Sequence, residues 1–420
     1  MAVGSKQAAP PPHIPVIYPI VRALRSALLL AYVTAKCVID LIIYAFVFPL
    51  KVLSPRSFSS LTDFLYKFNV AGLGSIGHLS APNTFLRLHG KIHDSGVARC
   101  VAISNHQSTA DICMVGLLLH VFNFSNSMVW VMDRLLMYLP TGWTSLIHGD
   151  VFIVQSSQGG APAIAEAAIK TGAATAWSLG RRCVMLFPEG GFFRKRHARS
   201  VEWLKKQDAG AVHPSFTALP RSGGFCNILG VVDQDFDGVL DICIRYERGG
   251  ALAPEIPALF MGTDEAIFLD AQWIPKRSIP PASDAAAVHQ WLTQQFARKD
   301  VLMRPGADAA AAYTRISSVR VWQHHPQARH SCVANAACTR NLTLTPLLQV
   351  CTPAFHIGVH APVYAIMLLC AYALGAAPAL RLAAEALCFV TACLLTNTPG
   401  YTFFALVIAA AAAWAITLAV

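Results

Sequence analysis

Apolar residues fall into two kinds of run along this chain. At the ends they are long and almost unbroken: residues 26–50, 357–380 and 401–420, with a shorter run at 382–395 that carries Glu385. In the middle they are short, at 85–88, 100–103, 128–131, 151–154, 183–187, 216–219 and 239–244, each bounded by turn residues or by helical periodicity. Runs of that length between turn signals predict strands. Residues 162–179 are Ala-rich with Pro162 near the start, and 285–301 read as an amphipathic helix. Residues 56–80 read as a connecting helix and a Gly-rich turn. Short strands alternating with helices predict an α/β domain, a mixed sheet with flanking helices, with N-terminal and C-terminal membrane helices attached.

At about 1.5 Å per residue the long runs reach across a bilayer, while the run at 382–395 is a re-entrant segment or a further crossing. Lys36 and Asp40 interrupt the first run four residues apart, on one helix face. A neutralised pair facing other helices or the interface is favoured there over an ion pathway. That run is too long for a secretory signal, and no convincing cleavage site follows it. The expected organisation is a disordered, Pro/Ala-rich segment at 1–19, an N-terminal membrane region at 20–55, a catalytic domain at 56–250, its C-terminal extension at 251–350, and a C-terminal transmembrane region at 351–420.

Composition supports the membrane reading. Hydrophobic residues make up 55% of the chain and charged residues 13%, with a mean hydropathy of +0.47, too apolar for an ordinary soluble enzyme. From residue 351 onward Arg381 is the only Lys or Arg, which leans toward a middle segment facing the cytosol. The 12 cysteines form no Cys-x-x-Cys pair, so they read as buried thiols in a reducing compartment, with no metal site.

The chemistry is concentrated where one central strand ends. Ser104-Asn105-His106-Gln107-Ser108-Thr109-Ala110-Asp111 follows an apolar run and precedes a longer one. A carboxylate that takes the Nδ1 proton of an imidazole fixes its tautomer and leaves Nε2 as a general base. A buried structural pair has the same spacing, so this segment by itself leaves both open. A second strand-like run ends in Phe187-Pro188-Glu189-Gly190-Gly191, where glycines allow close backbone approach to a ligand.

Together these segments resemble the glycerolipid (lysophospholipid) acyltransferase family, in its asparagine-histidine-x4-aspartate and phenylalanine-proline-glutamate-glycine blocks. Gly149-Asp150-Val151-Phe152-Ile153-Val154-Gln155 resembles the second block of that family, with Gln155 where arginine is usual, and Thr217-Ala218-Leu219-Pro220-Arg221 resembles the fourth. The resemblance covers roughly residues 85–250. The stretch Phe187-Pro188-Glu189-Gly190-Gly191-Phe192-Phe193-Arg194-Lys195-Arg196 is more similar to members that acylate lysophosphatidylglycerol than to phosphatidate-forming ones.

The resemblance implies an acyl-CoA-dependent acyltransferase (EC 2.3.1). His106 would be the base and Asp111 its support, with Asn105, Gly149, Phe152, Gln155, Pro188, Glu189, Gly190, Arg194, Lys195, Arg196, Pro220 and Arg221 at the substrates. Arg194, Lys195 and Arg196 would hold a phosphate or form a basic loop on the membrane surface. Glutamine at 155 cannot neutralise a phosphate dianion, which implies a phosphodiester acceptor: lysophosphatidylglycerol, lysophosphatidylethanolamine or lysophosphatidylinositol. The family places the chain in the endoplasmic reticulum membrane, multi-pass, with its site facing the cytosol.

No cofactor or metal is implied; acyl-CoA is a co-substrate, and the partners are a lysophospholipid and the bilayer. The net charge of +10 shows no basic stripe interleaved with aromatics, so nucleic acid is set aside in favour of anionic headgroups and coenzyme A phosphates. Competing readings are a phosphatidate-forming acyltransferase, against which Gln155 counts, an acyl-CoA hydrolase, and an inactive lipid-binding scaffold.

Overall fold

A computed structural model describes residues 17–89, 98–154, 161–207, 213–247, 253–304 and 313–316. Of the segment expected to be disordered, 1–19, residues 17–19 are helical instead, and the remainder lies outside the described residues, as do the C-terminal membrane helices expected at 351–420.

Three helices open the chain: α1 (Ile17–Val47), α2 (Pro49–Leu53) and α3 (Pro55–Ser80). The sheet region then runs β1 (Thr84–His89), β2 (Cys100–Ser104), α4 (Asp111–Val121), β3 (Met128–Asp133), α5 (Pro140–His148), β4 (Val151–Ile153), α6 (Ala161–Ser178) and β5 (Cys183–Leu186). It continues with α7 (Phe193–Gln207), α8 (Ser222–Val232), β6 (Gly238–Tyr246), α9 (Ile256–Phe260), β7 (Ile267–Pro275), α10 (Ala285–Leu302) and β8 (Thr314–Arg315).

The strands form one mixed sheet in the order β4-β3-β5-β2-β6-β7-β1-β8. From β4 to β6 every neighbour is parallel, β6 and β7 are antiparallel, and β1 runs parallel to β7. Side-chain alternation divides the core in two. Cys100, Ala102, Met128, Trp130, Met185, Leu240 and Ile242 face α3 and α4. Val101, Ile103, Val129, Val131, Val184, Leu186 and Val239 face α6, α8 and α10. Covered on both sides, β2 and β6 are buried throughout, β6 with Asp241 and Arg245 among its apolar residues.

Three expectations need correction. Residues 216–219 are not a strand. The backbone N–H groups of Phe216 and Thr217 donate to Asp300 Oδ1 at 2.7 and 3.0 Å, and that of Leu219 to Ser200 Oγ at 3.2 Å. Side chains thus satisfy groups that a strand would pair with a neighbour. The glycines after residue 70 form no turn; they lie inside α3, where a Cβ on Gly74 would sit 2.5 Å from Leu117 N and one on Gly77 2.6 Å from Cys113 Cβ. Their bareness lets α3 lie against α4. The sheet also continues past residue 250, since β7 stands between β6 and β1.

Pro19–Val47, within α1, is the one helix among the described residues long and apolar enough to cross a membrane. Its polar side chains face the domain: Ser26 Oγ donates to Pro257 O at 2.7 Å, and Lys36 Nζ meets Asp40 Oδ2 at 2.7 Å and Asn69 Oδ1 of α3 at 2.6 Å. Lys36 and Asp40 are thus a neutralised pair facing another helix. Ile20, Leu24, Val38, Ile42 and Phe46 face outward and are exposed.

Candidate active site

The site forms where β2 ends at the centre of the sheet. Asn105 fastens that end: its Nδ2 donates to Ile244 O and its Oδ1 accepts from Ile244 N, both at 2.8 Å. Expected at the substrate, Asn105 is instead fully buried and spends its amide on β6. His106 follows on the loop, and Asp111 opens α4, where a helix N-terminus favours a negative charge.

The Asp111 carboxylate gathers four donors. Its Oδ2 accepts from His106 Nδ1 at 2.9 Å, from Ser108 N at 2.9 Å and from Gln107 N at 2.5 Å. Its Oδ1 accepts from the Tyr246 hydroxyl at 2.7 Å. Burial, and then Asp111 itself, hold the Tyr246 phenol well above its usual range, so it stays a donor. With Nδ1 donating to Asp111, Nε2 carries the free lone pair. The ring stacks on Phe187, with centroids 3.9 Å apart and planes at 15°, and tilts against Phe192 at 4.4 Å. His106 is 9% exposed, enough for one ring edge to reach a substrate.

The Pro-Glu-Gly turn clamps this loop from the other side. His106 N donates to Glu189 Oε1 at 3.2 Å, and Phe193 N donates to His106 O at 2.7 Å. Gly190 and Gly191 adopt φ of 66° and 144°, left-handed values that L side chains resist. Pro188 O accepts from Arg221 N at 2.8 Å, which brings Pro220 and Arg221 to the same turn.

Glu189 is fully buried, and burial pushes its carboxyl well above the usual range, against the pull of the His106 and Ala218 N–H groups. An acid whose folded pKa lies above its unfolded value of 4.5 contributes stability below that pH and loses it as pH rises. Glu189→Gln is therefore expected to match the wild type in thermal melts below pH 4.5 and to exceed it at neutral pH. A melt difference that shrinks as pH rises would contradict this assignment.

The three basic residues expected to act as one cluster have three different surroundings. Arg194 forms an ion pair with Glu255, which also accepts from Thr109 N at 3.2 Å. Lys195 is exposed, 5.7 Å over the Phe192 ring. Arg196 Nε donates to Glu189 O at 3.1 Å.

The second block lies elsewhere. Gly149 caps α5 with φ of 93°, and Phe152 is on β4, the edge strand, three places or about 14 Å from β2. Gln155 lies outside the described residues. Beside Gly149 a second imidazole, His148, has Nδ1 3.1 Å from Asp150 and Nε2 3.1 Å from Asp63. Its side chain is wholly buried between the two carboxylates, which leaves no exposed edge for a substrate.

Sequence reasoning missed Tyr246 and the support beneath the loop. Lys299 of α10 is fully buried; its Nζ donates to Ile242 O and to Ile103 O, the latter at 3.4 Å, and pairs with Asp241. Arg298 pairs with the same carboxylate. Lys299 thus ties the end of β2, one residue before Ser104, to the middle of β6. Among the described residues no group of three His, Cys, Asp or Glu side chains is placed to hold a metal ion.

The acyltransferase family model matches residues 86–228, the segment that contains His106, Asp111, Glu189 and Arg221. Human acyl-CoA:lysophosphatidylglycerol acyltransferase 1 is 27% identical over 280 residues, 61% of this chain and 73% of that protein. The mouse protein of that name is 32% identical over 178 residues, 42% of this chain and 46% of its own length. The crystal structure of the 1-acyl-sn-glycerophosphate (LPA) acyltransferase PlsC from Thermotoga maritima is similar at 13% identity and a TM-score of 0.35, covering 70% of this chain and 99% of that one, a likeness too slight to carry an argument. By the family match and the relatives, the chain is an acyltransferase (EC 2.3.1), and its segment 86–228 is similar to the acyltransferase family.

Proposed function

We propose that this chain is a membrane-bound acyl-CoA:lysophospholipid acyltransferase whose acceptor is lysophosphatidylglycerol or a related phosphodiester lysolipid. The observation that carries the proposal is an imidazole fixed through Nδ1 by a fully buried carboxylate, with Nε2 free at the edge of an aromatic-lined site. His106 Nε2 takes the proton of the acceptor hydroxyl as its oxygen attacks the thioester carbonyl. The tetrahedral intermediate collapses, the carbon–sulfur bond breaks, and the coenzyme A thiolate leaves with the proton from His106. Asp111 orients the imidazole and supports its positive charge, and Tyr246 holds Asp111 in place. Glu189, Gly190 and Arg194 shape the acceptor side.

Acceptor choice rests on Gln155. A glutamine amide hydrogen-bonds a singly charged phosphodiester but does not neutralise a phosphomonoester dianion. Labelled acyl-CoA offered with a panel of lysolipids tests this. Transfer to lysophosphatidylglycerol, lysophosphatidylethanolamine or lysophosphatidylinositol above lysophosphatidate is expected; strong preference for lysophosphatidate would overturn it and favour the phosphatidate-forming reading.

Both substrates are long-chain amphiphiles, so the reaction belongs at a membrane surface. The apolar outward face of α1 supports attachment there. Residence in the endoplasmic reticulum, further crossings at 351–420 and a cytosolic site complete the proposal.

Tyr246→Phe removes one donor from Asp111 and nothing from the substrates. It should lower kcat by roughly 10–150-fold, the worth of one hydrogen bond to a charged group, with both KM values held. A raised lysolipid KM with unchanged kcat would place Tyr246 in binding instead.

A further inference from the structure

Three arginines crowd one side of the Pro-Glu-Gly turn, none of them in an ion pair among the described residues. Arg196 and Arg199 are three residues apart on α7 and so share a helix face. Arg221 comes from the loop before α8, and its side chain lies over Gly190, where a built Cβ would be 3.3 Å from Arg221 Cδ. Ser200 Oγ, accepting from Leu219 N at 3.2 Å, holds that loop against the same turn of α7. Arg196 Nε is spent on a carbonyl, Glu189 O.

Among the described residues no acidic side chain pairs with Arg196, Arg199 or Arg221. The carboxyl that bears on Arg196, Glu189, is kept toward its neutral form by burial. Burial first, and then Arg221 and Arg199, hold the Arg196 guanidinium below its usual value; burial and then Arg199 do the same to Arg221. Like charges held together this way call for a multivalent anion.

We propose that Arg196, Arg199 and Arg221 seat the nucleotide phosphates of the acyl donor. The inference rests on the acyl-CoA reading above and goes beyond it by giving the donor its own contact residues, Arg199 among them. Charge matching decides between the two phosphate-bearing substrates. A phosphodiester lysolipid brings one negative charge to three guanidinium groups. The diphosphate and 3′-phosphomonoester of coenzyme A bring roughly four, and planar guanidiniums take phosphate oxygens in bidentate pairs.

Arg199→Gln is the informative variant, because Arg199 is exposed and has no structural partner among the described residues. Initial rates are compared with acyl-CoA and with S-acyl-pantetheine, which keeps the thioester and lacks the nucleotide. The KM for acyl-CoA should rise about tenfold or more, while kcat/KM for S-acyl-pantetheine and the lysolipid KM move by under about twofold. A rise in the lysolipid KM instead would assign the arginines to the acceptor headgroup and overturn the proposal. Unchanged constants for every substrate would overturn it as well.

Equilibrium dialysis of coenzyme A against the full chain in detergent micelles separates this proposal from the reaction itself. Wild type should bind coenzyme A about tenfold more tightly than Arg199→Gln whether or not transfer is seen. Equal binding by the two proteins would remove the arginines from the donor site even if transfer proceeds. Absence of transfer with differential binding intact would count against the proposed function alone.

Discussion

His106→Ala should lower acyl transfer by about 10²–10⁴-fold, the usual worth of a positioned general base. The size follows from the surroundings of the ring. Nδ1 is committed to Asp111, the two faces to Phe187 and Phe192, and the main chain to Glu189 and Phe193, so Nε2 is the atom left to act. The second buried imidazole, His148, is wholly enclosed between Asp63 and Asp150 and offers no substitute base. Alanine leaves Asp111 with its bonds to Gln107, Ser108 and Tyr246, so the loop keeps most of its anchors. The loss should fall on kcat rather than on either KM, and thermal melts beside the assay establish that the variant is folded.

The second large effect is on stability. Asp241 is fully buried between two cations, Lys299 and Arg298. Asp241→Leu would strand both, at a cost of about 3–5 kcal/mol, the range for a buried pair that loses one member. Lys299→Met is expected to cost less. It forfeits the donations to Ile103 O and Ile242 O and one of two ion pairs, but leaves Asp241 paired with Arg298, which is partly exposed. The double variant should recover part of the Asp241→Leu loss, because one stranded charge is removed with its partner. Urea unfolding of the three proteins gives the order directly; a Lys299→Met protein weaker than Asp241→Leu would mean that the backbone bracing outweighs the charge balance.

The legible parts of this fold are local. The runs at 100–103, 128–131 and 183–187 read as strands because those strands are covered on both faces and carry no polar interruption. β7 was not legible by that signal. Asp270 breaks its apolar run, and its burial becomes intelligible only through Arg87, His89 and Tyr313, which come from β1 and from the segment before β8. Residues 216–219 erred in the opposite direction, since an apolar run of four does not reveal that Asp300 and Ser200 will take its N–H groups. Glycines in α3 suggested a turn because composition does not distinguish a bend from a close helix crossing.

The same division holds at the site. The bond from His106 Nδ1 to Asp111 spans five residues and is readable as spacing. Tyr246 reaches Asp111 across 135 residues and Lys299 reaches Ile103 across 196, contacts set by β6 lying beside β2 and by α10 crossing behind them. No short window of sequence contains them. Arg194, Lys195 and Arg196 are adjacent in sequence yet point to different partners, because successive helical positions diverge around α7.

The most direct measurement follows the acyl chain itself. Membranes bearing the chain are given acyl-CoA labelled in the acyl group, with and without lysophosphatidylglycerol, and the label is partitioned between diacyl phospholipid and free fatty acid. The account predicts label in the diacyl lipid only when lysolipid is present, with that product lost in His106→Ala. Release of free fatty acid at one rate with or without lysolipid would contradict it and make the protein a hydrolase, and equal diacyl product from His106→Ala would take the imidazole out of the reaction.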